Sequence, residues 1–200
     1  MTAEAVIPER TPPSLPDWVF PPPGGFVAED LDHIPDLPAH TELIDGSLVF
    51  VSPRVSFHMR VVSFLENEIR RAAPQGLLVR REMSVILGKH QRPQPDLFVI
   101  PASADRPRQT FYRGQDLMLA VEVVSPESTV RDRSRKPTLY AEAGIAHFWR
   151  VEDHSDKAVV YVYELDPATG SYTATGIHHD RLKLTAPFDL DINLTGIDGI

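Results

Sequence analysis

The segment Leu117–Ser128, LMLAVEVVSPES, carries one acidic residue inside an apolar run. Seven of its first eight residues are apolar, and the exception is Glu122. Such a run predicts a β-strand that is buried on both faces, as in a sheet covered by helices. Because an unpaired carboxylate in such a strand would cost several kcal/mol, Glu122 needs a partner.

The segments on either side of this strand predict an α/β fold, with a central mixed β-sheet flanked by helices. An Asp-Gly pair inside TELIDGSLVFVSP (41–53) predicts an N-terminal β-hairpin. Apolar residues at four-residue spacing in SFHMRVVSFLENEIRRAA (56–73) predict an amphipathic helix. A second helix is predicted over RDRSRKPTLYAEAGI (131–145), and PDLFVI (95–100) is a short buried strand. Further strands are expected in 77–87, 146–152, 157–165 and 171–177.

The composition of the chain excludes several kinds of functional site. The chain has 200 residues, a net charge of -8 and no cysteine, which excludes zinc–thiolate sites, cysteine nucleophiles and disulfides. The proline-rich segment 1–25 is expected to be a tail, and 26–200 a single domain. With neither a signal peptide nor a membrane span expected, the predicted location is the cytoplasm. The acidic charge argues against tight nonspecific binding to nucleic acid, but not against a local basic groove.

Two carboxylates form the first candidate site. Asp96 opens the strand PDLFVI, and Glu122 lies in the next strong strand along the chain. Neighbouring strands lie under about 5 Å apart, so two acids on one face would repel each other. A divalent cation with oxygen ligands, such as Mg²⁺, relieves this repulsion. The alternatives are that Glu122 faces water at a strand end or pairs with an arginine.

A basic cluster follows the Glu122 strand. Arg131, Arg133, Arg135 and Lys136 lie within six positions, interrupted by Asp132 and Ser134. Cations beside a metal–carboxylate pocket suit a phosphate-bearing substrate, so the three arginines are candidates for binding phosphate. The simpler alternative is a solvated start of a helix.

Four blocks of the sequence carry a resemblance to a known family. In chain order they are TELIDGSLVFVSP, RPQPDLFVI, AVEVVSPES and RKPTLYAEAGIAHFWRVE. Together they resemble the Uma2 family (DUF820), a bacterial family of endonucleases with a PD-(D/E)xK restriction-endonuclease-like fold. The resemblance covers about residues 28–165 and leaves the proline-rich segment outside.

The resemblance implies a metal-binding pair. Asp96 matches the aspartate of the family's PD element, and Glu122 matches its second acidic residue. In related nucleases this pair holds Mg²⁺ (or Mn²⁺), helped by a main-chain carbonyl that corresponds to Val123. Glu42 matches a further acidic position, whose implied role is to bind the metal or to position water. All three acids are therefore expected in the catalytic centre.

The lysine of the wider superfamily is displaced in this chain. Val124 stands two residues after Glu122, where the lysine is expected, and its side chain cannot donate to a phosphate. Lys136 matches a lysine of Uma2-like sequences and is expected to replace it. His58 matches a histidine of the family and is an accessory candidate for accepting a proton or contacting phosphate. From the residues alone, a surface or capping role is expected for His58, and core packing for Tyr140.

The resulting functional prediction is a Mg²⁺-dependent endonuclease that hydrolyses phosphodiester bonds of DNA. A homodimer is expected, because cutting two strands needs two sites and two-fold dimers are the commonest assemblies. The main alternative is an inactive nuclease-fold protein that acts as a binding or scaffold module, which Val124 and the acidic net charge favour. An acid–base hydrolase acting on sugars is a further alternative for two paired carboxylates.

Overall fold

The computed structural model describes residues 16–199, and its centre is a six-stranded mixed sheet in the order β10-β9-β8-β7-β5-β3. The two helices are α1 (Ser56–Ala72) and α2 (Lys136–Glu142). The strands are β1 (Glu42–Ile44), β2 (Ser47–Val49), β3 (Leu77–Arg81), β4 (Ser84–Ile86), β5 (Leu97–Pro101), β6 (Phe111–Arg113), β7 (Leu119–Val123), β8 (His147–His154), β9 (Lys157–Asp166), β10 (Ser171–His178), β11 (Arg181–Leu184) and β12 (Leu190–Asn193). Short 3-10 turns connect several of these elements.

Strand β7, which carries Glu122, lies inside the sheet between β5 and β8. It pairs antiparallel with β5 and parallel with β8. All five of its residues are buried, as the apolar run predicts. The strand is therefore covered on both faces, and the acidic side chain is enclosed.

The two helices cover opposite faces of the sheet. Val61 and Leu65 of α1 belong to a core with Val121 of β7. On the other face, Tyr140 of α2 packs in a core with Ala120. Alternate residues of β7 thus point to the two cores, as the period of a strand requires. The prediction of a central mixed sheet flanked by helices is confirmed.

The N-terminal hairpin forms at the predicted turn. Strands β1 and β2 pair antiparallel, and Asp45 and Gly46 both have positive φ, at 52° and 73°. This is the geometry of the two-residue turns that match the twist of a hairpin. Leu43 exchanges two main-chain hydrogen bonds with Arg92, at 3.1 and 2.8 Å. The contact places β1 beside the segment that leads into β5.

The predicted second helix is divided in two. Residues 131–135 form a π-helical turn, and α2 continues from Lys136 to Glu142. Gly144, with φ of 77°, follows its end. The turn brings Asp132 inside while its neighbours Arg133 and Ser134 are exposed.

Of the predicted N-terminal tail, residues 1–15 lie outside the described part of the chain. In the described part, Asp17–Val19 form a 3-10 turn, and the Trp18 ring lies 6.1 Å from that of Phe50, centroid to centroid. The domain boundary at residue 25 stays a prediction. None of the helices in residues 16–199 combines the length and apolar character needed to cross a membrane.

Candidate active site

Asp96 and Glu122 meet at one end of the central sheet. The register of β5 and β7 pairs Leu97 with Val121, and one further step places Asp96 opposite Glu122. Asp96 Oδ2 accepts a hydrogen bond of 2.7 Å from the main-chain N–H of Val123. Both carboxylic side chains are only 1% exposed.

Asp96 is surrounded by cationic and donor groups. His58 Nε2 lies 2.9 Å from Asp96 Oδ1, and a guanidinium nitrogen of Arg54 lies 3.1 Å from the same oxygen. Burial works to raise the pKa of Asp96, but the bond from His58 and the positive charges of Arg54 and Lys136 hold it below its usual range. Because an ionised carboxylate only accepts, Nε2 of His58 donates in this bond. The expectation that His58 lies on the surface is wrong, since its contact with Asp96 leaves it 1% exposed.

Glu122 is held by side chains of α2. Its Oε2 lies 3.0 Å from Lys136 Nζ, and its Oε1 accepts a hydrogen bond from the Tyr140 hydroxyl. Lys136 and Tyr140 are one helical turn apart and reach the same carboxylate. Tyr140 is fully buried, as expected of core packing, but its hydroxyl also serves the site.

Glu42 joins the cluster from the hairpin. Its Oε1 lies 2.9 Å from Lys136 Nζ and accepts a hydrogen bond of 2.8 Å from the main-chain N–H of Gln94. The Lys136 ammonium thus bridges Glu42 and Glu122, from two separate sheets. The structure thus joins Glu42, Glu122 and Lys136 in one buried network and places Asp96 beside it, bonded to the main-chain N–H that follows Glu122.

Asp132 is a member of the cluster that the sequence analysis did not single out. Its Oδ1 lies 3.5 Å from Lys136 Nζ and is buried without a hydrogen-bond partner among the described residues. Asp132, Lys136 and Tyr140 are spaced by four residues, which places them on one side of a helix. That spacing was the available signal, and the surrounding run of charged residues obscured it.

Electrostatics divide the site into two environments. Burial raises the pKa of Glu122 well above its usual range, and Asp132, Asp96 and Glu42 add to the effect while Lys136 opposes it. Burial would lower the pKa of Lys136, but the surrounding carboxylates outweigh it and raise that pKa well above normal. The raised pKa favours the ammonium form of Lys136, which donates hydrogen bonds and accepts none.

Comparison with known proteins identifies the family of this chain. A family model described as "Uma2: Putative restriction endonuclease" matches residues 28–195, most of the chain. The chain belongs to the Uma2 family. A search of curated proteins finds no match. Among solved structures, a putative nuclease belonging to DUF820 from Anabaena variabilis ATCC 29413 is similar, with a TM-score of 0.66 and 16% sequence identity. The match covers 87% of this chain and 98% of the other, and at this identity it shows the shared fold.

In this Uma2-family chain the basic cluster is largely paired with the protein's own acids. Arg133 donates to both carboxylate oxygens of Glu152, from Nε at 3.0 Å and from one terminal nitrogen. Arg135 donates to both oxygens of Asp45, from Nε at 2.8 Å. Arg133 is half-exposed, and Arg135 is about a third exposed. Their role in binding phosphate stays a prediction, and it requires them to exchange these partners.

A cavity of about 520 Å³ opens where β7 ends and α1 begins. Val124 and Ser125, the two residues that follow β7, line one side of it. Phe57 and Arg60 of α1 line another, and Arg133 reaches its edge. The position where the wider superfamily carries lysine is thus a wall of this cavity, while the cluster's ammonium comes from α2.

The donor chemistry of this Uma2 site fits a divalent cation. Four buried carboxylates (Glu42, Asp96, Glu122 and Asp132) adjoin two permanent cations (Lys136 and Arg54). Asp132 Oδ1, which has no hydrogen-bond partner within residues 16–199, adds to these acidic oxygens, and such hard oxygens are the ligands Mg²⁺ prefers. Within residues 16–199, however, no three acidic or histidine side chains are already arranged around one point. Lys136 would have to move for a cation to reach Glu122.

Proposed function

We propose that this chain is a divalent-metal-dependent endonuclease that hydrolyses phosphodiester bonds of DNA. The observation that carries the proposal is the pair of buried carboxylates of Asp96, directly before β5, and Glu122, in the neighbouring strand β7, with the Lys136 ammonium bridging Glu122 to Glu42. Membership of a family described as restriction endonucleases supports the same reaction class.

The groups that would hold the metal are Asp96, Glu122 and the main-chain carbonyl of Val123, with Glu42 as a further ligand or water-positioning group. A bound Mg²⁺ (or Mn²⁺) would lower the pKa of water and neutralise charge on the phosphate. Hydrolysis adds water across one P–O ester bond and leaves a phosphomonoester and a hydroxyl.

The remaining side chains hold the two carboxylates in place and supply positive charge to the site. His58 and Arg54 fix Asp96, and Tyr140 fixes Glu122. Lys136 supplies a positive charge for the negative charge that develops on the phosphate. It does so from the start of α2, in place of a lysine at Val124.

The arginines before α2 are proposed to bind phosphates that flank the cleaved bond. Arg131, Arg133 and Arg135 would fix the position of the DNA without reading its sequence, as phosphate contacts do. In this proposal the DNA strand would pass the end of β7 through the cavity beside Val124. Two copies of the chain, related by a two-fold axis, would present two such sites to a duplex.

The test is cleavage of supercoiled, linear and single-stranded DNA with Mg²⁺ or Mn²⁺. We expect nicking or cutting that EDTA abolishes and that Asp96→Asn and Glu122→Gln each reduce by about 100-fold or more. Glu142→Gln is the matched control, because it removes an exposed acid from α2 outside the cluster. If the metal-loaded, folded protein leaves every form of DNA intact, the proposal fails.

A binding or scaffold protein on a nuclease fold is the second candidate. It is favoured by the Lys136 ammonium, which already occupies the oxygens that a metal would need. In that case calorimetry would detect no binding of Mg²⁺, and Asp96→Asn would leave binding of DNA or of a protein partner unchanged.

A further inference from the structure

The Lys136 ammonium competes with any cation that binds Glu122. Its Nζ lies 3.0 Å from Glu122 Oε2 and 2.9 Å from Glu42 Oε1, within hydrogen-bonding distance of both. A divalent cation at Glu122 would approach an ammonium whose charge has the same sign. In a buried site, where charges are weakly screened, the two cannot share one oxygen without a large repulsion. Binding of the cation therefore requires the ammonium to move.

A displaced ammonium still needs a counter-ion, because Lys136 is almost completely buried. Leaving a buried charge without a partner costs several kcal/mol, so the side chain cannot simply turn into an apolar region. Solvent is not within easy reach, since the side chain is 5% exposed. The acceptor has to lie inside the cluster.

Asp132 provides that acceptor. Its Oδ1 lies 3.5 Å from Lys136 Nζ, and it is buried without a hydrogen-bond partner among the described residues. Movement of Nζ away from Glu122 and toward Asp132 would bring Nζ and Oδ1 to a normal bonding distance. The two residues are four positions apart on the same side of the helical segment, so the shift needs only side-chain rotation. The π-helical turn of residues 131–135 holds Asp132 inside, and such turns are frequent at functional sites.

We propose that Asp132 is a positioning residue for Lys136, which receives the ammonium when a divalent cation occupies Glu122. The inference rests on the proposed metal-binding function and adds a residue to it. In the absence of the cation the ammonium bonds both Glu42 and Glu122. When the cation binds, the ammonium moves to Asp132 and stays beside the site, where it faces the substrate phosphate.

The test is calorimetric titration with Mn²⁺ in a cycle of wild type, Asp132→Asn, Lys136→Met and the double variant. Asp132→Asn keeps the shape of the side chain and removes the charge that would receive the ammonium. We expect it to weaken Mn²⁺ affinity about tenfold, which corresponds to 1.4 kcal/mol. In the Lys136→Met background the same change should alter affinity by less than about threefold, since no ammonium needs a place. Glu142→Gln should bind as the wild type does.

The outcomes separate this inference from the proposed function. Equal weakening by Asp132→Asn in both backgrounds would make Asp132 a direct ligand and overturn the positioning role. Wild-type affinity in Asp132→Asn, with Mn²⁺ binding intact, would overturn this inference alone. An absence of Mn²⁺ binding by the wild type would remove both the metal-dependent function and the inference.

A structural measurement needs no variant and so does not depend on variants that fold. In crystals of the wild type grown with Mn²⁺, Lys136 Nζ should lie within about 3.2 Å of Asp132 Oδ1 and no longer contact Glu122. A bound Mn²⁺ with Lys136 still on both Glu42 and Glu122 would refute the proposed movement.

Discussion

Asp96 lies directly before β5 and Glu122 lies in the neighbouring strand β7. The two are equally buried, yet their surroundings are opposite. Arg54 and His58 surround Asp96, and the pKa of Asp96 is lowered. Glu122 lies among other acids with a single ammonium, and its pKa is raised. Burial works to raise the pKa of both groups. The cations around Asp96 reverse that effect, while the acids around Glu122 add to it.

The opposite pKa shifts of Asp96 and Glu122 are relevant to the chemistry of the site. Pairs of titratable groups whose surroundings move their pKa values apart are typical of acid–base and metal sites. Here the Asp96 side is stable as an anion without further help. On the Glu122 side three acidic side chains surround the single ammonium of Lys136, so an added cation would be stabilised most there.

The largest expected effect comes from removing the cation that holds the Glu122 side together. Lys136→Met should lower the free energy of unfolding by about 3–5 kcal/mol, because it leaves buried carboxylates without a counter-ion. Urea denaturation of the metal-free protein measures it. Lys157→Met, at an exposed position at the start of β9, is the control and should change stability by less than about 0.5 kcal/mol. A Lys136 variant as stable as the control would mean that the cluster does not depend on the ammonium.

The second prediction compares the two carboxylates directly. Asp96→Asn should cost about 2–3 kcal/mol of unfolding free energy, because it weakens bonds from His58 and Arg54 that end on a charged oxygen. Glu122→Gln should lie within about 1 kcal/mol of the wild type, since the loss of one contact with Lys136 is offset by less repulsion among the acids. Equal losses in the two variants, measured by urea denaturation without metal, would contradict the contrast.

The individual strands of this site can be predicted from the sequence better than the way in which they pair. The apolar run around Glu122 identifies β7, and Asp45-Gly46 identifies the hairpin, because both signals are local. The register that sets Asp96 opposite Glu122 joins distant segments, and no periodicity predicts it. The sequence suggested that the two acids lie together only through the argument that a shared cation would relieve their repulsion.

The side chains supplied by the helices were the harder part. His58 stands near the start of α1, where a histidine is usually exposed, and only the tertiary contact with Asp96 buries it. The resemblance to Uma2 sequences, not the pattern of residues, pointed to Lys136. Asp132 was hidden within a charged segment, although its spacing from Lys136 and Tyr140 was readable.

The third prediction tests how firmly Glu122 is held. Tyr140→Phe removes one hydroxyl that donates to the Glu122 carboxylate and should cost about 1.5–2 kcal/mol of unfolding free energy, as hydrogen bonds to charged groups do. Tyr172→Phe is the matched control, because its hydroxyl donates at 2.7 Å to a neutral acceptor, the main-chain carbonyl of Ile145. That loss should be about 1 kcal/mol or less. If the two variants are equally destabilised, the Tyr140 bond has no special strength.

The smallest expected effect concerns Glu152, a fifth buried carboxylate, whose neighbours resemble those of Asp96. Arg133 and Arg150 both reach it, and although burial works in the opposite direction, they lower its pKa from the usual 4.5. Because Arg133 is half-exposed, Glu152→Gln should cost only about 0.5–1 kcal/mol of unfolding free energy at pH 7.

The pH dependence of this stability difference tests whether the charge of Glu152 is its cause. A carboxyl group with a lowered pKa binds fewer protons in the folded protein than in the unfolded chain, so its contribution is complete above the unfolded pKa and disappears as the pH falls through the folded one. The gap between wild type and Glu152→Gln, measured by urea denaturation over a series of pH values, should therefore shrink as the pH is lowered below 4.5. A gap that stays constant would show that Glu152 acts through packing and not through its charge. It would also weaken the view that neighbouring cations can overcome the effect of burial on an acid of this sheet.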